Sequence, residues 1–201
     1  MPIVKIDTLR SGTAIGLWKI DETVDELLAS VPSLSVVYQS LQHYKSKVRI
    51  LESLAVHALL YSMTGESGVV VGHKPSGCPV LAGWHISISH TKGYAAVILS
   101  RSDNVAVDIE YVSTRVSKIA DRFIRSDETC PTLAHQLICW CVKETVYKYF
   151  SEQELAFPEM RLHTFTPLSE GVVTVDNLKT GVNVDVFYRL REDYVLTFIG
   201  G

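Results

Sequence analysis

The sequence predicts an α+β fold of two pseudo-symmetric halves, residues 1–102 and 103–201, each with a long helix packed on a small, mostly antiparallel sheet. Three observations carry that expectation. Two long stretches, 45–63 and 132–150, repeat apolar residues at helical spacing. Around them lie short runs that alternate apolar and polar residues with the period of a strand. At 201 residues and 47% hydrophobic, the chain is long enough for one domain or for two units of about 100 residues.

In chain order, 14–19 (A-I-G-L-W-K) reads as a strand and 22–29 as a short helix capped by Asp21 or Thr23, before a break at Pro32 and Ser33. The helix at 45–63 turns Ile50, Leu51, Leu54, Ala58 and Leu59 inward and stops at Gly65. Its opening is basic. Lys45, Lys47 and Arg49 offer a place for a phosphate, with a solvated charged turn as the simpler alternative. A Val-rich strand at 68–72 leads into a loop of turn formers, His73 to Pro79. The next strand, 85–89, alternates Ile86 and Ile88 with Ser87 and Ser89, and 94–100 follows as a second strand. The turn between them, 90–93, puts Ser89, His90 and Lys92 at a hairpin tip, either an anion site or a plain polar turn.

The run 105–110 (V-A-V-D-I-E) alternates strictly, so Asp108 and Glu110 share one face, roughly 7 Å apart at strand spacing. Two like charges there repel unless a cation lies between them. Magnesium suits such a pair, and a strand running out into solvent is the equal alternative. A short helix is expected at 117–123. In the helix at 132–150, the apolar stripe Leu133, Leu137, Trp140, Cys141 continues onto Glu144 and Lys148. A carboxylate on that face is costly unless Lys148, Lys143 or a metal compensates it, and a surface Glu-Lys pair is the competing reading. Strands are expected at 172–175, 182–190 and 194–199, with turns at Gly171 and Gly181.

A formal net charge of -3 gives no general electrostatic case for nucleic acid or an anionic membrane as partner. There is no secretory leader pattern and no run of about 18 apolar residues, so the expected location is the cytoplasm. The four cysteines lack zinc-ribbon spacing and are expected to be reduced.

The Ser89-His90 pair, the D-x-E strand and the helix reading W-x-x-K-E-x-x-x-K, from Trp140 to Lys148, fall in one order. In that combination the chain resembles the 4'-phosphopantetheinyl transferases, in particular the two-halved monomeric type that activates peptide and fatty acid synthases. The resemblance spans about Lys45 to Phe150. It implies that Asp108, Glu110 and Glu144 bind Mg2+, that Lys148 contacts the phosphates of coenzyme A, and that Ser89, His90 and Arg49 bind its nucleotide end. Lys143 joins the coenzyme-binding set. The partner implied is an acyl or peptidyl carrier protein, whose serine receives the phosphopantetheine arm. Glu144 or Glu128 would take the serine proton. The sequence departs from the family pattern at Cys78, where a G-K-P loop has lysine, leaving Lys74 as the substitute cation. A catalytically weakened homologue that only binds coenzyme A is the alternative. A Ser-His hydrolase built on Ser89, His90 and Asp108 ranks below both, because adjacent strand residues face opposite ways and no nucleophile elbow is present.

Overall fold

The computed structural model describes residues 3–9 and 12–200. The architecture is α+β, and the chain divides into two compact units, Met1–Asn104 and Val105–Gly200.

In the first unit, β1 (Ile3–Thr8), β2 (Ala14–Lys19), β5 (His85–Thr91) and β6 (Tyr94–Ser100) form an antiparallel sheet in the order β1-β2-β6-β5. Two short helices, α1 (Val24–Ser30) and α2 (Ser35–Ser40), precede the long α3 (Lys47–Thr64). Thr23 caps α1 in a capping box: its hydroxyl accepts from the Glu26 amide, and the Glu26 carboxylate accepts from the Thr23 amide at 2.8 Å. Ser46 caps α3, and Gly65 ends it at φ 74°, a left-handed conformation that favours glycine. The helix lies against β2 and β6, and Gly16 permits the close approach. A Cβ there would sit 2.7 Å from Met63 Sδ and 2.8 Å from Leu59 Cδ1. Trp18, Leu27, Leu54, Leu59 and Val97 are at the centre of the resulting core.

Two expectations for this unit change. The Val-rich strand shrinks to β3 (Gly72–His73), paired with β4 (Pro79–Val80), because Gly68 at φ 98° breaks the extended run before it and Val70 is exposed. β5 runs on to Thr91, so a two-residue turn, Lys92-Gly93, closes the hairpin, with Gly93 at φ 80°. Ser89 and His90 are therefore strand residues, not a tip. The pairing of β1 with β2, and helix α2, carry too weak a periodic signal to be read from sequence.

In the second unit, β7 (Ala106–Tyr111), β8 (Met160–Leu162), β9 (Glu170–Asn177), β10 (Val182–Leu190) and β11 (Tyr194–Ile199) form an antiparallel sheet in the order β7-β11-β10-β9-β8. A 3-10 turn and the short α4 (Ala120–Phe123) lead to α5 (Leu133–Tyr149), capped by Thr132, whose hydroxyl accepts from the His135 amide at 3.3 Å. α5 lies on β7, β11 and β10, and its buried face is broader than the predicted stripe. Leu137, Ile138, Cys139, Cys141, Val142, Lys143, Thr145 and Val146 are buried, while Leu133, Trp140, Glu144 and Lys148 run along its half-buried margin. Gly171 is not at a turn. It sits inside β9, where the Tyr188 ring crosses over it and a Cβ would meet the ring's oxygen at 2.7 Å. All four cysteines are free thiols.

Candidate active site

The margin of α5 runs beside β7, and their side chains interlock one helical turn at a time. Trp140 Nε1 donates to Glu110 Oε1 at 3.0 Å. Two turns further on, Lys148 Nζ lies 2.7 Å from Asp108 Oδ1 and donates to the Val107 carbonyl at 3.0 Å. The helix and the strand run in opposite senses here, so Trp140 meets Glu110 and Lys148 meets Asp108, with Glu144 on the turn between. Asp108 is almost closed off, at 5% exposure, and its other oxygen, Oδ2, accepts from the Cys141 thiol at 3.2 Å.

Glu144 makes no hydrogen bond or ion pair with any described residue, although it is half-buried. Lys148, one candidate to compensate it, is held by Asp108 instead. Burial first, then the Asp108 charge, pushes the Glu144 pKa up to about 7; Lys148 pulls against them and Glu110 adds a smaller push. This is a carboxylate poised to hold or release a proton near neutral pH.

Lys143 and Glu128 leave the site. Lys143 is fully buried, its ammonium 2.9 Å from Glu128 Oε2 and 2.6 Å from the Phe123 carbonyl. Glu128 also accepts from the Arg125 amide at 2.9 Å and the Leu162 amide at 2.8 Å. A charge in a helix's packed face persists only with such partners. Both side chains are thereby engaged in holding α5 to the segment before it and to β8. Glu128 is not placed to act as a base, nor Lys143 to meet a coenzyme.

In the first unit a cleft of about 330 Å³ is lined by Tyr44, Arg49, Glu52, His57, His73 and His90, among others. His90 Nδ1 is 3.3 Å from Glu52 Oε2, and His57 donates from Nδ1 to the Ser53 carbonyl at 2.8 Å. Burial lowers the His57 pKa, the Ser53 hydrogen bond opposes that shift, and nearby His73 reinforces it, so His57 is neutral at pH 7. The cleft takes in Arg49 and His90 but not Ser89 or Lys74. Ser89 points to the opposite, buried face of β5, as neighbours on a strand must. Lys74 stands in the exposed turn closed by the bond from its amide to the Cys78 carbonyl at 2.9 Å. Tyr44, Glu52 and His73 join the cleft without belonging to any of the sequence motifs. The signal for Glu52 was present: Arg49, Glu52, Ser53, Val56 and His57 follow the three-and-four spacing of one helix face.

The donor chemistry around Asp108 suits a hard divalent cation, because Asp108, Glu110 and Glu144 offer only carboxylate oxygens and repel one another without one. Among the described residues, however, no three His, Cys, Asp or Glu side chains are drawn together as a ready-made metal cage. Magnesium keeps several waters and takes only one or two carboxylates directly, so the donor set fits the ion in kind while its full assembly is left to binding.

Residues 104–199 match the family model described as the 4'-phosphopantetheinyl transferase superfamily. No curated protein matches the chain. The match contains Asp108, Glu110, Glu144 and Lys148, whereas Arg49 and His90 lie outside it.

Proposed function

From residue 104 to residue 199 the chain is a 4'-phosphopantetheinyl transferase superfamily domain, and on that premise we propose that it moves the 4'-phosphopantetheine arm of coenzyme A onto a serine of an acyl or peptidyl carrier protein. The serine oxygen forms a bond to the β-phosphorus as the bond from that phosphorus to the bridging oxygen breaks. Adenosine 3',5'-bisphosphate leaves, and the serine proton passes to Glu144, directly or through water. The observation that carries this reading is Glu144 itself: half-buried, without a hydrogen-bond partner, beside two carboxylates, with its pKa pushed up to about 7.

Asp108, Glu110 and Glu144 are the residues that would hold Mg2+, which when bound would neutralise charge developing on the departing phosphate as the pyrophosphate bridge breaks. Lys148 extends positive charge to the same phosphates from its seat on Asp108. Trp140 steadies Glu110 through its indole N–H. In the first unit, Arg49 and His90 give the cleft a guanidinium and an imidazole suited to the phosphate-bearing nucleotide end of coenzyme A.

Mass spectrometry of apo carrier proteins incubated with the protein, coenzyme A and Mg2+ tests the proposal. The expected result is a gain of one phosphopantetheine on the carrier, lost with Glu144→Gln or Asp108→Ala. Failure on several carriers counts against it. A second reading, a homologue that binds coenzyme A with little turnover, draws on Cys78, which stands where the family loop has lysine and whose thiol faces the Pro79 carbonyl at 3.8 Å. Calorimetry that shows coenzyme A binding, with carriers left unmodified, would favour it.

A further inference from the structure

We propose that Cys141 is a positioning residue for Asp108: its thiol donates to Oδ2 and fixes the carboxylate so that Oδ1 is the oxygen turned toward Lys148. The inference rests on the proposed function where it gives Asp108 a cation to hold.

Hydrogen bonds around the thiol run in a space sealed from water. Cys141, Thr145 and Thr197 are each fully buried. Thr145 Oγ1 and Thr197 Oγ1 lie 2.5 Å apart; Thr197 Oγ1 donates to the Cys141 carbonyl at 2.9 Å and lies 3.2 Å from its sulfur; the Cys141 sulfur lies 3.2 Å from Asp108 Oδ2. The carboxylate can only accept, so the proton between Cys141 and Asp108 is the thiol's; the one hydroxyl proton of Thr197 goes to the Cys141 carbonyl, which leaves Thr145 as the donor to Thr197. The competing acceptor for the thiol, the Val195 carbonyl, is farther away at 3.6 Å and uncharged. With Lys148 on Oδ1 and the thiol on Oδ2, the Asp108 plane is gripped from both sides by α5. The strand alone could not do this, since an aspartate rotates about two bonds.

The test uses the full chain, with Mn2+ as probe followed by electron paramagnetic resonance and the Cys141 S–H stretching band followed by infrared spectroscopy. Cys141→Ala is expected to weaken Mn2+ binding by roughly 10- to 100-fold, the loss typical when the group orienting a metal ligand is removed. Cys141→Ser, which keeps a donor in the same place, is expected to recover most of it. The S–H band that disappears in Cys141→Ala should shift in Asp108→Asn, because the acceptor changes from a charged to a neutral oxygen. Unaltered Mn2+ binding in Cys141→Ala, or an S–H band indifferent to Asp108→Asn, overturns the proposal. If the unsubstituted protein binds no Mn2+, the cation-holding part of the proposed function falls, and the S–H band still decides whether the thiol orients Asp108.

Discussion

Glu144 is only partly ionised at neutral pH, because burial and two carboxylates oppose its charge, and the stability of the second unit must register this. Its pKa, raised from the ordinary 4.5 to about 7, lies above the unfolded value. The folded protein therefore keeps a proton that the unfolded chain releases. That contribution is fully present below the unfolded pKa and is lost as pH rises through about 7. Thermal midpoints measured from pH 5 to pH 8 should fall in the unsubstituted protein relative to Glu144→Gln, whose amide does not titrate, and the gap should open across the interval between the two pKa values. Transfer activity should run the opposite way, rising with pH as Glu144 becomes able to accept a proton.

Between elements, the buried ion pair of Lys143 and Glu128 ties α5 to the segment before it and to β8. Lys143→Ala leaves the Glu128 carboxylate sealed away with its cation gone, and should cost about 3–5 kcal/mol in urea denaturation. Lys143→Met combined with Glu128→Gln should recover much of that, since neither partner is then left charged and alone. In the sheet, Gly171→Ala would drive a methyl group into the Tyr188 ring, whose hydroxyl is tied to the Leu168 amide at 3.1 Å and the Thr166 carbonyl at 3.2 Å. Because the ring is anchored at both sides of its oxygen, it cannot step aside, and the expected loss is about 1–3 kcal/mol in the same experiment.

Across the molecule, each unit has its own apolar core, around Trp18, Leu54 and Leu59 in one and Ile138, Val142 and Val186 in the other. Among the described residues no helix is long and apolar enough to cross a membrane. Cores of this kind need no metal to form. Chelation is therefore expected to stop transfer while leaving the circular dichroism spectrum unchanged. Only the increment in thermal midpoint supplied by bound Mg2+ should disappear, and that increment should grow with Mg2+ concentration as mass action requires.

What the sequence determined by itself is whatever a local period encodes. β10 and β11 begin and end where alternation places them, α5 lies within a residue of its predicted ends, and Asp108 and Glu110 share a strand face because a period of two allows nothing else. Periodicity assigns a side chain to a face but is silent about its partner. Only the tertiary structure could give Lys148 to Asp108 and not to Glu144 one turn away, seal Lys143 beneath Glu128, and gather Arg49 and His90 around one cleft. Those placements join residues that are distant in the chain, and they are settled by which groups packing leaves in reach of one another once water has been excluded.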